Sequence, residues 1–376
     1  MLKKIELFEA RQDGYHVYRI PNIVVTKNNV VLVTTEARQG RGGDWDNIDV
    51  MMRRSIDGGE TFEPRVKLVD HKDYGEGPSN NFVFISDMQS GRVVSVFCNN
   101  YSRVFTMYSD DDGVTFTKPT EITDVFNYFK KDYEWSVCAT GPGHGIQLKN
   151  GRMIIPVWLS VGTGNEFGKD HLGHRPSDIT SIYSDDGGLN WKPGEIICRN
   201  KDSVNEKIIT NPNETTAVEL SDGRILFNIR SESDSKRRFI AISPNGYSDW
   251  DLIGFDENLL EPVCMGSIIK NQYIYNNNLI LFSNPDNLEN ELIPPGNNVS
   301  HDRKCLTIHI SNDDCKTWFN KKILEEGPAG YSDLAQLKTG EFLCFYECDL
   351  ESGMFDDKYL RLAKFDLNWL LEIRLA

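Results

Sequence analysis

Ser55-Ile56-Asp57-Gly58-Gly59-Glu60-Thr61-Phe62 is the first of four stretches in this chain that share one loose pattern, Ser-x-Asp-x-Gly-x-Thr-aromatic. The others are Ser109-Asp110-Asp111-Asp112-Gly113-Val114-Thr115-Phe116, Ser184-Asp185-Asp186-Gly187-Gly188-Leu189-Asn190-Trp191 and Ser311-Asn312-Asp313-Asp314-Cys315-Lys316-Thr317-Trp318. A degenerate fifth runs Ser243-Pro244-Asn245-Gly246-Tyr247-Ser248-Asp249-Trp250. Such spaced self-similarity marks a repeat architecture. In each box the Asp and Ser side chains can satisfy the backbone donors of a tight turn, Gly supplies a positive φ, and the closing aromatic packs beneath. These aspartates therefore serve folding rather than catalysis. Cys315 stands where the other boxes have Gly, which predicts a slightly altered turn there. Asp110-Asp111-Asp112-Gly113 invites a calcium reading, but the full loop with its terminal glutamate is absent, so no metal site is expected.

Between the boxes run short β-branched stretches such as Val30-Val31-Leu32-Val33, Val93-Val94-Ser95-Val96-Phe97 and Ile225-Leu226-Phe227-Asn228-Ile229. Turn signals bound them: Lys27-Asn28-Asn29, Ser90-Gly91-Arg92, Lys149-Asn150-Gly151, Ser221-Asp222-Gly223 and Lys338-Thr339-Gly340. Tight hairpins in an all-β protein read this way. One short helix is expected, over Asp124 to Lys131. The boxes recur at roughly the length of one four-stranded blade plus a variable loop. Six such antiparallel blades, joined by box hairpins, fit the 376 residues and would close near Phe365-Asp366-Leu367. The expectation is a six-bladed β-propeller forming one domain, 1–376, with no linker or charge block to divide it.

Hydrophobic residues make up 39% and charged residues 26%, as in an ordinary globular protein. The net charge of −15 argues against nucleic acid or an anionic membrane as partner. An anionic substrate would have to be held by local positive charge against that field. No apolar run is long enough to span a membrane. Glu6 and Glu9 interrupt the opening segment, so no secretory signal is read. The eight cysteines lack zinc-ligand spacing, and several sit in apolar strands as reduced, structural thiols. A cytoplasmic setting is expected, with secretion only if a leader has been removed.

Tyr18-Arg19-Ile20-Pro21, followed by the boxes, resembles the sialidase (neuraminidase) family of Asp-box glycoside hydrolases. The resemblance runs from about residue 15 to 370 and implies an exo-α-sialidase without cofactor. Sialic acid carries a carboxylate on its anomeric carbon, and planar, permanently charged arginine suits that group. The family uses three arginines from distant blades. Arg19 matches the first. Arg230, ending Asp222-Gly223-Arg224-Ile225-Leu226-Phe227-Asn228-Ile229-Arg230, matches the second. Arg303, between Ser283-Asn284-Pro285 and Leu306-Thr307-Ile308, matches the third. Alone, each would read as a surface ion pair; together they read as a clamp.

Asp44, in Gly42-Gly43-Asp44-Trp45-Asp46-Asn47-Ile48-Asp49, matches the family's acid/base aspartate, with Asp46 and Asp49 as rivals. Its pKa should be raised by an apolar neighbour such as Trp45. A carboxylate nucleophile would meet the substrate's own carboxylate, and sialidases are an exception to the two-carboxylate scheme. Tyr331, in Gly330-Tyr331-Ser332-Asp333, resembles the family's nucleophile. Glu214 resembles its proton acceptor, with Glu219 as the structural alternative on the same strand. Glu347 sits where the family braces Arg19. Arg38 and Asn81 fall where it contacts the sugar near the 4-hydroxyl. His144 reads as ordering its loop.

The resemblance thus implies a retaining exo-α-sialidase that cleaves sialylated glycans through a tyrosyl-glycosyl intermediate. Two alternatives stand beside it: a hydrolase of a related ulosonic acid (Kdn or Kdo), and a non-catalytic glycan-binding propeller. Linkage preference, natural aglycone, the N-acyl pocket and oligomeric state are not legible in the sequence.

Overall fold

The computed structural model describes residues 1–75, 77–163, 171–274, 278–289, 302–351 and 356–372. Its strands follow chain order, each hairpin adding the next strand to the same antiparallel sheet. The first sheet holds Val17–Val25, Val31–Arg38, Ile48–Ser55 and Val66–Val69; the second holds Ser79–Ser86, Val93–Asn99, Arg103–Ser109 and Thr120–Glu121. In the third, Val137–Thr140, Met153–Ser160, Ser177–Ser184 and Lys192–Pro193 follow one another, and Ile146–Gln147 also pairs with Met153–Ser160. The fourth comprises Thr215–Glu219, Ile225–Ile229, Arg237–Ser243 and Asp251–Leu260. Ser267–Lys270, Ile280–Pro285 and Lys304–Ser311 lead into the 17-residue strand Asn320–Gln336. That strand runs on into Phe342–Leu350 and Asp357–Phe365, giving one seven-stranded sheet whose last member is the N-terminal strand Leu2–Glu9. Pairing of Leu2 with Phe365 and of Lys3 with Lys364 brings the two ends of the chain together. The fold is all-β, with several four-stranded antiparallel sheets.

The expected turns all join paired strands, and the expected helix is Thr123–Asn127 continued by a tighter turn over Tyr128–Lys131. The pairing of the first nine residues was not expected. Leu2–Glu9 lies at a sheet edge with mixed exposure, so its sequence carries no clean alternation.

The boxes share one geometry. Asp57 Oδ1 accepts from the Thr61 amide at 2.9 Å, and Ser55 Oγ accepts from the Gly59 amide at 2.9 Å. Asp111 with Thr115, Asp186 with Asn190 and Asp313 with Thr317 repeat the first bond, each at 2.9 Å. The expectation of an altered turn at Cys315 is corrected. Cys315 takes φ 64° and its amide still reaches Ser311 Oγ at 3.0 Å, so the side chain is carried in a glycine conformation. Phe62, Phe116, Trp191 and Trp318 each pack on a buried cluster.

A cavity of about 600 Å³ is lined from Val17–Val25, Ser79–Ser86, Ile146–Gln147, Thr215–Glu219, Ser267–Lys270 and Asn320–Gln336. Buried polar side chains tie these strands together. Asn22 Nδ2 donates to Phe82 O at 3.0 Å and to Gly143 O at 2.7 Å. Asp333 accepts from the Ile23 amide at 2.9 Å and from Ser267 Oγ at 2.8 Å. Leaving such buried groups unpaired would cost roughly 1–3 kcal/mol each, so these bonds fix the relative placement of the sheets. All eight cysteines are free thiols, six of them buried. Among the described residues no helix is long and apolar enough to cross a membrane.

Candidate active site

The site is made by bulges. Where two paired strands slip register, an amide leaves the ladder and can be aimed elsewhere. Register shifts between Arg19 and Asn22, between Asn80 and Val83, and between Ala329 and Ser332. Ile20 and Asn81 take φ of 59° and 51° within the first two. The freed amides of Ile20 and Tyr331 donate to Glu347 Oε1 and Oε2, each at 3.0 Å. The freed Asn81 amide donates to Glu36 Oε1 at 2.8 Å. Two buried glutamates thus receive the backbone of three strands.

Glu347 is fully buried and also accepts from Arg19 Nε at 3.1 Å and Nη2 at 3.2 Å. Burial pushes its carboxyl up, but the Arg19 charge and the two amides outweigh this and hold it below its ordinary value. Glu36 binds Arg38 through Oε2, to Nη2 at 2.6 Å and Nε at 3.0 Å. Arg38 Nη1 in turn donates to Asp44 Oδ1 at 2.6 Å.

Glu214 and Arg230 are cross-strand neighbours just beyond the pair Thr215–Ile229, and the Arg230 amide donates to Glu214 O at 3.1 Å. Their side chains form an ion pair through Arg230 Nη1 and Glu214 Oε2. Tyr331 Oη donates to Glu214 Oε1 at 2.6 Å and accepts from Arg230 Nη1 at 2.8 Å. The Arg19, Arg230 and Arg303 guanidinium carbons lie 5.3, 6.0 and 5.1 Å from the centre of the Tyr331 ring. Arg303 is anchored by Nη2 donating to Val263 O at 2.6 Å. Burial pushes the Tyr331 phenol well above its ordinary range, against the pull of Arg230, Arg303 and Arg19, so it rests neutral.

These residues line one cleft of about 820 Å³, together with Asp44, Arg38, Asn81 and Glu36. Every residue named from the sequence for catalysis or binding lies there: Arg19, Arg38, Asp44, Asn81, Glu214, Arg230, Arg303 and Tyr331. Glu347 stands behind Arg19. The rivals of Asp44 have other work. Asp46 accepts from the amides of Arg41 and Gly43 at 2.9 Å, shaping the loop. Asp49 is fully buried and accepts from Tyr15 Oη at 2.5 Å and from the His71 amide at 3.0 Å. Glu219 accepts from the Lys149 amide at 2.9 Å, and His144 Nδ1 lies 2.7 Å from Asp333 Oδ1. Asp49, Asp70 and His71 could together offer three metal-ligand atoms, but the Lys67 ammonium sits 2.8 Å from Asp49 and 3.1 Å from Asp70. An ion there would meet a resident cation.

One expectation is corrected. Asp44 was expected to have a raised pKa from Trp45. Burial in the cleft walls does push its carboxyl up, but Arg38, then His174 and Arg19, outweigh it and hold Asp44 well below its ordinary value. Trp45 turns instead to Tyr101, His171 and His174, with ring centres 4.8, 5.3 and 5.9 Å away. Asp44 keeps 29% of its side-chain surface accessible, as a group that meets a ligand must. Glu36 was missed, although Glu36-Ala37-Arg38 places it on the same strand face as Arg38. Tyr101, Trp158, His171 and His174 line the cleft beside Trp45 without a sequence pattern to announce them.

Comparison with known proteins finds relatives in sequence and in fold. The family described as BNR repeat-like domain matches residues 42–344. A sialidase of Micromonospora viridifaciens is 25% identical over 96% of this chain and 53% of its own length. A sialidase of Bacteroides fragilis is 26% identical over 92% of this chain and 62% of its own. The chain thus spans little more than half the length of these two relatives. Sialidase-3 of Homo sapiens is 25% identical over 91% of this chain and 88% of its own. Among solved structures, the Hadza microbial sialidase Hz136 superposes with a TM-score of 0.78 at 22% identity, covering 98% of this chain and 69% of that one. The Trypanosoma rangeli sialidase in complex with 2,3-difluorosialic acid, a covalent intermediate, gives 0.70 at 16% identity, covering 96% and 58%. By the extent of the family match, which takes in most of its residues, the chain belongs to the family described as BNR repeat-like domain.

Proposed function

We propose that the chain is a retaining exo-α-sialidase acting on sialylated glycans, built as a single six-bladed β-propeller domain. The ring reading is supported by six strands, one from each four-stranded repeat, converging on one cavity, and by Leu2–Glu9 completing the last repeat. The observation that carries the activity is the contact of Tyr331 Oη with Glu214 Oε1 at 2.6 Å inside a fence of three guanidiniums.

Arg19, Arg230 and Arg303 receive the substrate carboxylate and set the anomeric carbon against Tyr331. Tyr331 passes its proton to Glu214 as its oxygen bonds to that carbon, and the arginines stabilise the developing phenolate charge. The glycosidic carbon–oxygen bond breaks and the departing oxygen takes a proton from Asp44. Water then attacks the same carbon, Asp44 takes its proton, and the Tyr331 oxygen leaves and regains its own from Glu214. Two displacements at one centre return the original configuration. Asp44 rests ionised against Arg38, so a sugar hydroxyl that engages Arg38 would loosen this hold and let Asp44 carry a proton at the right moment.

Labelling with a 2,3-difluoro sialic acid followed by peptide mapping tests the reading. Label on Tyr331 is expected; label on an aspartate or glutamate, or none, overturns it. Fluorogenic α-glycosides of Neu5Ac, Kdn and Kdo, assayed in parallel, define which ulosonic acid is preferred.

A further inference from the structure

Glu36 and Arg38 lie two residues apart on the strand Val31–Arg38, so both side chains leave the same face. Each residue is 2% exposed. Every bond that Glu36 makes is an accepted one: from the Asn81 amide through Oε1, and from Arg38 Nε and Nη2 through Oε2. Donors on both oxygens call for a carboxylate, since an amide in its place would set its own NH2 against a donor. Arg38 spends Nη1 on Asp44 Oδ1 at 2.6 Å and on Gly42 O at 3.1 Å. Four of its five N–H groups are thereby used, and the one left is on Nη2.

One guanidinium is therefore shared by two carboxylates, Glu36 on its Nε–Nη2 edge and Asp44 on Nη1. Asp44 keeps 29% of its side-chain surface accessible; Glu36 has both oxygens committed, so it reaches a ligand only through Arg38 and Asn81. An arginine given wholly to Asp44 would hold it ionised and keep a proton away. A second carboxylate on the same arginine adds negative charge near Asp44 and weakens that hold. The repulsion acts in both directions: burial, and to a lesser degree the Asp44 charge, push the Glu36 carboxyl up against the pull of Arg38 and the Asn81 amide. The other charged or titratable groups are Cys98 and Tyr101 facing Glu36, and Arg19, His174 and Tyr101 facing Asp44.

We propose that Glu36 is a positioning residue of the acid: it shares the Arg38 guanidinium with Asp44 and so lets Asp44 take up the proton that the departing oxygen needs. This rests on the sialidase reading above. Asp44 draws that proton from solvent and becomes a carboxylate again on giving it away. Without the Glu36 charge the whole guanidinium falls to Asp44, which then takes a proton less readily. The loss bears on glycosides whose leaving oxygen needs a proton and spares those whose phenolate departs unaided. Removing a nearby negative charge lowers the Asp44 carboxyl, so the alkaline limb of kcat, which reports the acid in the bound complex, moves to lower pH. A residue that merely kept Arg38 in place would weaken both substrate types alike and leave the limb where it was.

Kinetics of the whole chain on sialyllactose and on a nitrophenyl α-sialoside, from about pH 4 to 8, test this. Glu36→Gln keeps the size and removes the charge. It is expected to lower kcat/KM for sialyllactose about tenfold more than for the nitrophenyl sialoside, and to move the alkaline limb of kcat for sialyllactose down by about one pH unit, since one unit is tenfold in the protonated fraction. Glu36→Asp keeps the charge, and should retain the parent's ratio between the two substrates and the parent's limb, whatever happens to KM. Equal losses on both substrates in Glu36→Gln, or a limb that does not move, would leave Glu36 a structural brace and overturn the proposal. A selective loss on sialyllactose in Glu36→Asp would overturn it by itself, so the aspartate variant decides the matter even if the glutamine variant does not fold. Release of no sialic acid from either substrate by the unmodified chain would instead refute the sialidase reading.

Discussion

Tyr331 and Glu214, 117 residues apart in sequence, share a hydrogen bond of 2.6 Å from phenol to carboxylate. In the proposed mechanism a tyrosine buried in this way attacks only if its proton has somewhere to go, and Glu214 is the acceptor within reach. Tyr331→Phe keeps the ring and its packing and removes the attacking oxygen. Its urea midpoint should match the parent, with activity reduced by several orders of magnitude and no label from a 2,3-difluoro sialic acid. Glu214→Gln should slow labelling, since the phenol must then ionise alone against the effect of its burial. Undiminished labelling in that variant would move the proton acceptor elsewhere.

Arg230 has a double engagement, with Glu214 and with Tyr331 Oη. Charge-assisted hydrogen bonds are worth about 1.5–3 kcal/mol each. Arg230→Ala should therefore lower kcat/KM by at least about tenfold on any sialoside. Parent-like hydrolysis would show that the clamp has been misassigned.

In the proposed reaction Asp44 protonates the leaving oxygen. Asp44→Ala should damage natural glycosides far more than aryl glycosides, whose phenolates depart with little proton assistance. Comparing kcat/KM for the two substrate types checks this. Equal losses would count against Asp44 as the acid.

Gly330 precedes Tyr331 because nothing larger fits. A Cβ there would lie 2.4 Å from Glu347 Oε2, an atom fixed by Arg19 and the Tyr331 amide. Gly330→Ala should cost about 1–3 kcal/mol in urea denaturation. It should also lower kcat/KM at least about tenfold, because Arg19 and Tyr331 share the displaced carboxylate. A variant equal to the parent in both would show that Glu347 can yield.

Asp49 supplies a stability test away from the cleft. Burial raises its carboxyl, but bonds from Lys67, Tyr15 and His71 outweigh this and bring it down to about 2. Its contribution is therefore complete above its unfolded pKa of about 4, and is lost as pH falls through 2. Asp49→Asn should cost about 2 kcal/mol at pH 7, read from urea midpoints. The gap between parent and variant should narrow as the pH is lowered from 5 towards 3. A constant gap would mean that the loss comes from packing rather than charge.

The sequence by itself determined what is local. A box needs a Ser, an Asp and a residue that accepts positive φ within eight positions, so its hairpin geometry is written in one short segment, and even Cys315 obeys it. The identities of Arg19, Asp44, Glu214, Arg230, Arg303 and Tyr331 were legible because each lies in a short recognisable context. Only the tertiary structure decided how they stand to one another. The bulges at Arg19, Asn81 and Tyr331 come from strand pairings that no single segment specifies. The glutamates that collect the freed amides come from other strands, 328 residues away in the case of Glu347 and Arg19. Asp44 is held ionised by Arg38, not raised by Trp45, because pKa depends on the charges a fold brings within a few ångströms.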